Sequence, residues 1–298
     1  MSGVAATPVM ATDRTMTVLD QEIADLAPRP LVAARLLEAL GNTESAVGDL
    51  SRLIAMDKGI TAEVLRLVNS TYYGFPRQVT TIGQAVVILG FNTVRNLALA
   101  VSTFDTFDAG RNAPIDRNQF WEHSIGVAVC AQILARRKRL AVKVVEEAFL
   151  GGLLHDIGKL FLCQHFPDDY RAAIDEAWRQ KVRVTVMEQR YCGASHPLIG
   201  ARIAEKWNLP PSLAAAIGRH HDVSRAQDNF EMVALVNASD ALTNASKIGL
   251  VGDPLPPTLS PEVAAWLGVD ARMLQEVQEE LKVKVDDARE FLRMAAGK

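Results

Sequence analysis

The chain has 298 residues, of which 49% are hydrophobic and 22% are charged, and its formal net charge is -3. This composition is typical of a folded globular protein and excludes a disordered chain, while the length allows two helical domains or one large domain. The slightly acidic balance provides no general basic surface, so we do not expect general nucleic-acid binding.

The cysteines and the apolar segments indicate the cellular compartment. Cys130, Cys163 and Cys192 are far apart and form no C-x-x-C pair, which argues against a disulfide framework and against a thiolate zinc site. Residues 1–18 lack the apolar core of a signal peptide, and no stretch of about 18 apolar residues occurs. We therefore expect a cytoplasmic protein that does not span a membrane.

The first part of the chain predicts short helices joined by turns. Residues 1–18 show no apolar periodicity and predict a flexible tail. Apolar residues at helical spacing then predict helices over 31–40, 46–56, 61–68 and 81–89. Thr61 is expected to cap the third of these helices, and Asn92 is expected to cap the helix that follows Gly90. We assign these elements to an N-terminal lobe over 19–108.

The segment 105–116 is the most loop-like internal stretch, because it combines Gly110, Asn112 and Pro114 with charged residues. We therefore place the boundary between two lobes there. Helical spacing continues over 120–134, 144–154, 197–207 and 211–217. Alternating strand patterns are scarce, so we predict an all-α fold of two helical lobes. The second lobe covers 116–245, and a C-terminal helical extension covers 246–298.

All six histidines follow residue 120, and the sharpest polar pattern lies within the apolar segment 151–160. There His155, Asp156 and Lys159 interrupt an apolar helix end, and such groups are costly to bury without partners. A divalent cation would satisfy them, because neutral imidazole and carboxylate oxygen are ligands of Fe, Mn, Zn and Ni. The alternative is a closed hydrogen-bond network among the same side chains.

The order His123, His155-Asp156, Asp240 resembles the H…HD…D signature of the HD superfamily of metal-dependent phosphohydrolases. Over 27–222 the chain also resembles the HDOD subfamily, and the motifs that carry this resemblance are Pro28-x-Pro30, Asn69-Ser70-x-Tyr72-Tyr73-Gly74, Ala85-x-x-x-Leu89-Gly90 and Gly151-Gly152-Leu153-Leu154-His155-Asp156-Ile157-Gly158-Lys159. The resemblance implies that the second lobe is an HD-type helical bundle. It also implies a bacterial protein of signalling and regulation.

Three further histidines resemble the additional ligands of two-metal HD-GYP cyclic-di-GMP phosphodiesterases, namely His196, His220 and His221. The resemblance implies one or two divalent ions, with Fe or Mn favoured and Zn or Ni as the other options. The first ion would be held by His123, His155, Asp156 and Asp240, with Asp156 bridging to a second ion on the three further histidines.

Lys159 matches a lysine near the substrate phosphate, so Asp156 and Lys159 would be the catalytic residues of an enzyme. A solvated lysine at a helix end is the alternative for Lys159.

Two departures from the HD-GYP pattern limit this comparison. The Gly-Tyr-Pro segment is absent from 223–231, and Gln119 stands where some three-metal sites carry a glutamate, so two metals is the largest number that we expect. His220 and His221 are adjacent, so one can coordinate a metal while the other caps a helix or contacts a ligand. We expect His165 in a surface loop outside the site.

Alternatives also apply to three predicted ligands. His123 can be a core residue whose ring is hydrogen-bonded, and His196 can simply begin a helix. Asp240 can accept a hydrogen bond from a backbone amide or from a metal-binding histidine without contacting the metal itself.

Two functions follow from these patterns. The HDOD resemblance implies a regulatory protein that acts through helix contacts with a signalling partner, and its metal site would then be structural or sensory. The nearly complete ligand set indicates instead a phosphohydrolase or phosphodiesterase that acts on a nucleotide or a cyclic dinucleotide. The missing Gly-Tyr-Pro segment argues against cyclic-di-GMP as the substrate. We prefer the signalling hypothesis.

Overall fold

The computed structural model describes residues 16–26, 47–69, 75, 78–106, 113–249 and 252–296. Within these ranges the chain forms helices, turns and irregular segments without any β-strand, which confirms the predicted all-α fold. None of the helices in the described ranges combines the length and the apolar character that a bilayer crossing requires. The predicted helix over 31–40 and the motif residues 28–30 and 70–74 lie outside the described residues.

The N-terminal helices are α1 (Met16–Asp25), α2 (Val47–Ala55), α3 (Lys58–Val68), α4 (Ile82–Leu89) and α5 (Phe91–Thr106). α1 therefore begins within the segment that was expected to be a flexible tail. The predicted cap of α3 is wrong, because Oδ1 of Asp57 accepts hydrogen bonds from the amides of Gly59 and Ile60 at 2.8 and 3.0 Å. Thr61 lies inside α3 and donates its hydroxyl to the Ile54 carbonyl at 2.9 Å.

The predicted cap of the following helix is also wrong. α5 begins at Phe91, directly after Gly90, so Asn92 is the second residue of that helix. Gly90 has a φ of 86° and ends α4 through a hydrogen bond from its amide to the Val86 carbonyl, as expected for a glycine at this position.

The remaining helices are α6 (Arg117–Arg137), α7 (Val142–Leu154), α8 (Ile157–His165), α9 (Pro167–Gln180), α10 (Val184–Tyr191), α11 (His196–Lys206), α12 (Pro211–Arg219), α13 (Phe230–Ala245), α14 (Pro261–Leu267) and α15 (Ala271–Ala296). Asp116 caps α6, since its side chain accepts a hydrogen bond from the Gln119 amide at 2.8 Å. α6 is buried along most of its length and packs against α7, α13 and α15.

Apolar side chains form two buried clusters. The first joins residues of α1 to α5 with residues of α8 to α12, so it extends across the predicted boundary at 105–116. The second joins α6 and α7 to α13, α14 and α15. α1 also lies on α11, where Nζ of Lys206 donates to the Ala24 carbonyl at 2.6 Å. The two predicted lobes therefore share buried apolar contacts.

Gly158 allows α8 to approach the start of α11 very closely. A Cβ atom at this position would lie only 2.1 Å from the backbone oxygen of His196. Any larger residue would push the two segments apart. This contact fixes the distance between the turn before α8 and the first residue of α11.

We expect Gly158→Ala to lower the free energy of unfolding by about 1–3 kcal/mol, because the added methyl group overlaps backbone atoms that cannot rotate away. The matched control is Gly83→Ala, where the nearest atoms to an added Cβ are 4.0 Å away. That change should leave stability unchanged or raise it slightly, because alanine favours a helix over glycine. Thermal unfolding of both variants is the measurement, and equal stabilities would contradict the close contact.

Candidate metal centre

The structure brings all seven predicted metal ligands into one buried cluster. His123 lies in α6, His155 and Asp156 form the turn between α7 and α8, and His196 begins α11. The pair His220-His221 follows α12, and Asp240 lies in α13. Some of these helices contribute to the first apolar cluster and others to the second, so the seven polar side chains lie where the two apolar clusters meet. Six of the seven side chains are fully buried, and His221 retains 15% exposure.

Three of the histidines are oriented by backbone carbonyls. Nδ1 of His155 contacts the Gly152 oxygen at 2.7 Å, and Nδ1 of His220 contacts the Ile217 oxygen at 2.8 Å. Nδ1 of His123 lies 3.4 Å from the Ile248 oxygen. A carbonyl only accepts, so Nδ1 carries a proton, and in the neutral form of each ring the Nε2 lone pair faces the cluster. This is the arrangement that a histidine needs in order to bind a metal through Nε2.

His196 is oriented by a carboxylate that the sequence analysis did not identify. Oε2 of Glu188 in α10 accepts from the His196 amide and from Nδ1 of the same residue, both at 2.8 Å. Glu188 is fully buried. Its position offered a signal, because Val184, Met187 and Tyr191 are buried at helical spacing and Glu188 lies on the same face. A carboxylate on a buried helical stripe requires a partner.

The carboxylate of Asp156 lies at the centre of the cluster. Its Oδ2 accepts from Nζ of Lys159 at 2.7 Å, and its Oδ1 lies 3.1 Å from Nε2 of His196 and 3.7 Å from Nε2 of His220. Lys159 is buried, so the alternative of a solvated lysine at a helix end is wrong. The ammonium group holds one oxygen of Asp156 and leaves the other directed toward the histidines.

Asp240 provides a second carboxylate on the opposite side. Its Oδ1 lies 3.2 Å from Nε2 of His123 and 4.0 Å from Nε2 of His155, and its Oδ2 lies 3.8 Å from Nδ1 of His221. The side-chain amide of Asn244, one helical turn later, donates to Oδ1 at 2.7 Å. Asp240 therefore faces the ring nitrogens of three histidines.

The electrostatics of the cluster favour ionised carboxylates and two neutral histidines. Burial opposes ionisation of Asp156, but His155, Lys159 and His196 outweigh it and hold the pKa of Asp156 well below its usual range. Burial and the nearby His155 lower the pKa of His220 to about 3. Burial would lower the pKa of His196 too, but the charge of Glu188 raises it to about 9. The pKa of His221 and that of Asp240 are also lowered. Asp156 and Asp240 are therefore ionised, and His220 and His221 are neutral, which are the protonation states in which these side chains bind a metal.

The residues present fit a divalent metal. Among the residues that the structure describes, no hydrogen-bond partner is found for six buried atoms of the cluster: Nε2 of His123, His155, His196 and His220, Nδ1 of His221, and Oδ1 of Asp156. A closed hydrogen-bond network would have satisfied these atoms. Ligand atoms lie within 4.8 Å of one another in three overlapping groups: His123, His155 and Asp240; His196, His220 and His221; His155, Asp156 and His220. Both adjacent histidines thus direct a ring nitrogen into the cluster.

His165 lies apart from this cluster. It ends α8, stacks on Phe161 with a ring separation of 4.4 Å, and contacts Oε2 of Glu22 through Nδ1 at 2.9 Å. It therefore belongs to a helix and not to a surface loop.

The chain belongs to the HDOD domain family, whose sequence model matches residues 26–223. This match confirms the resemblance that the motifs indicated over 27–222. Asp240 and the C-terminal helices lie beyond the matched residues, so part of the cluster comes from outside the family's domain.

Three relatives are informative. A protein of Treponema pallidum (strain Nichols) without an assigned function is 26% identical over 222 residues, covering 72% of this chain and 42% of that protein. Ribonuclease Y of Geobacter metallireducens is 30% identical over 125 residues, covering 42% of this chain and 18% of the enzyme. The chain thus spans less than half the length of these curated relatives. A Shewanella amazonensis SB2B crystal structure provisionally named a phosphohydrolase matches 92% of this chain and 98% of its own, with 26% identity and a TM-score of 0.72.

We expect a divalent cation such as Mn²⁺ to stabilise the protein by about 2.7 kcal/mol at a hundredfold excess over its dissociation constant. His220→Ala should reduce this increment, because it removes an inward-facing nitrogen. His165→Ala should leave the increment unchanged, since that ring contacts Glu22 and Phe161 instead. The measurement is thermal unfolding with and without the cation, and equal increments in both variants would contradict the site.

We expect Glu188→Gln to weaken metal affinity about 10- to 100-fold, the usual effect of removing the partner that orients a metal-binding histidine. The glutamine side chain is similar in size, but its neutral oxygen is a weaker acceptor than the carboxylate for the N–H groups of the His196 ring and backbone. Glu176→Gln, at an exposed ion pair on α9, is the control and should bind metal like the wild type. Metal titration measures both affinities, and an unchanged affinity in Glu188→Gln would show that Glu188 has no orienting role.

Proposed function

We propose that this chain is a bacterial regulatory protein of the HDOD family whose second lobe holds one or two divalent metal ions and transmits the state of that site to a protein partner. The observation that carries the proposal is the convergence of six unpartnered nitrogen and oxygen atoms in a buried cluster. Fe or Mn suits this mixture of imidazole and carboxylate ligands, and Zn or Ni is the alternative.

The proposed ligand assignment follows the three overlapping groups. His123, His155 and Asp240 would hold one ion, and His196, His220 and His221 would hold the other. Asp156 would bridge them, because its free Oδ1 faces His196 and His220 while Lys159 holds its Oδ2. The protein's contribution is to keep these atoms in place through Glu188 and the three backbone carbonyls.

A regulatory role is supported by the elements that the site connects. The ligands come from α6 and α13 on one side and from the starts or ends of α8, α11 and α12 on the other. Metal binding would therefore strengthen the contact between the two apolar clusters, and its free energy would favour one packing of the helices. A partner that binds the helices in this packing would respond to metal occupancy.

A metal-dependent phosphohydrolase is the second candidate, and two observations favour it. His221 retains partial exposure and lines a cavity next to the cluster, so a ligand has a route to the site. The Shewanella structure carries a phosphohydrolase name at 26% identity. A divalent ion in this site would supply Lewis acidity toward a phosphoryl oxygen. Lys159 would keep Asp156 ionised and add positive charge close to the phosphate.

The test is metal analysis of the full chain, purified without chelator, together with turnover of bis(p-nitrophenyl) phosphate and a panel of nucleotides. We expect stoichiometric metal without turnover. Metal with turnover that Asp156→Asn abolishes and His165→Ala preserves would replace the regulatory role with the phosphohydrolase. If the protein binds no metal even after anaerobic reconstitution, both functions are contradicted.

A further inference from the structure

A proline-rich strap, formed by residues 252–260 between α13 and α14, lies beside the metal cluster. Its second half lines a cavity of about 310 Å³ whose opposite wall includes His221. Among the seven candidate ligands, His221 is the one that lines this cavity and the one that keeps 15% exposure, whereas the other six are fully buried. An ion that enters or leaves at the exposed side of the cluster therefore passes between His221 and the strap.

Hydrogen bonds hold the first end of the strap. Nε1 of Trp178, near the end of α9, donates to the Gly252 carbonyl at 3.1 Å. Oδ1 of Asp253 accepts from the Leu255 amide at 3.0 Å and from the Val184 amide at 3.4 Å. These contacts tie the strap to the end of α9 and to the start of α10.

The other end of the strap is fixed by α14. Ser260 caps this helix, because its hydroxyl oxygen accepts from the Val263 amide at 3.2 Å. Leu259 is partly buried and packs against the second apolar cluster. Trp266 of α14 contacts the edge of the Phe230 ring in α13, with ring centres 5.8 Å apart. The strap therefore spans two anchored ends.

Prolines make the strap stiff between these ends. Pro254, Pro256 and Pro257 each have a fixed φ, and each also restricts the backbone of the residue before it. A segment with so few free dihedral angles cannot bend locally to admit an ion. It moves as a unit when the contacts at one end are released.

The charges around the cavity suit the passage of a cation. Asp222 and Glu262 provide two carboxylates, and Arg183 provides a single guanidinium group. Negative groups outnumber positive ones, so the wall attracts a divalent cation more than it repels it.

We propose that the strap is a gate for metal exchange, which slows both the entry and the loss of a divalent cation at His221. The inference rests on the proposed metal site. A gate alters the height of the barrier between free and bound ion, so it changes both rates by the same factor and leaves the affinity unchanged. A ligand, or a residue that orients a ligand, changes the affinity itself. The two roles are therefore separable by kinetics.

The test measures Mn²⁺ exchange in the full chain. Release is followed as transfer of Mn²⁺ from the loaded protein to excess EDTA, uptake is followed after mixing metal-free protein with Mn²⁺, and titration gives the dissociation constant. Trp178→Phe keeps an aromatic ring and removes the N–H group that binds the Gly252 carbonyl. We expect release and uptake both to become about 2- to 10-fold faster, the effect of one lost hydrogen bond, with the dissociation constant within about twofold of wild type. Glu176→Gln, at an exposed ion pair on the same helix, is the matched control and should exchange Mn²⁺ like the wild type.

Asp253→Ala is the second variant, because it removes the carboxylate that accepts from two backbone amides. We expect it to accelerate both rates at least as much as Trp178→Phe does. Stoichiometric metal with unchanged rates in both variants overturns the gate and leaves the proposed function in place. Faster release with unchanged uptake would mean that the strap stabilises the bound ion, which also overturns the gate. A protein that binds no metal overturns the proposed function and this inference together.

Discussion

The buried carboxylate of Asp156 is the group on which the arrangement of this lobe depends. A carboxylate can remain ionised away from water only if cationic groups or hydrogen-bond donors surround it. Lys159 supplies one such group at 2.7 Å from within α8, and the charges of His155 and His196 add to it from the turn before α8 and from the start of α11. The close contact at Gly158 brings α8 and α11 near enough for this to occur. The same geometry leaves one carboxylate oxygen and four Nε2 atoms without a hydrogen-bond partner among the described residues, which is why the cluster fits a cation.

Residues beyond the HDOD match complete this centre. Asp240 faces three histidines, and the Ile248 carbonyl lies behind His123. Gly249, with a φ of 63°, packs so closely on α6 that a Cβ there would lie 2.5 Å from the His123 amide. Asp253 accepts from the Val184 amide at the start of α10, the helix that carries Glu188. The segment after α13 is thus part of the support of the site and also forms a wall of its cavity.

Sequence patterns located most helices but not their caps. Apolar spacing predicted both ends of α2, α4, α7, α11 and α12 to within two residues, because burial of one helical face determines that spacing. The capping residue of α3 is the one whose side chain contacts the free amides at the start of the helix, and that residue is Asp57 and not Thr61. Likewise the boundary between the lobes was placed in 105–116, and one buried apolar cluster contains residues from both sides of that segment. Contacts between distant helices decide both features.

The sequence by itself determined the helical class, the family and the identity of seven polar residues that meet in the cluster, because their chemistry and order are properties of the chain. Only the tertiary structure decided that these residues share one buried site, since they are distributed along the chain from His123 to Asp240. It also revealed Glu188 behind His196, the burial of Lys159, and the cavity that His221 lines. These features depend on which helix faces meet, and local spacing contains no information about partners that are distant along the chain.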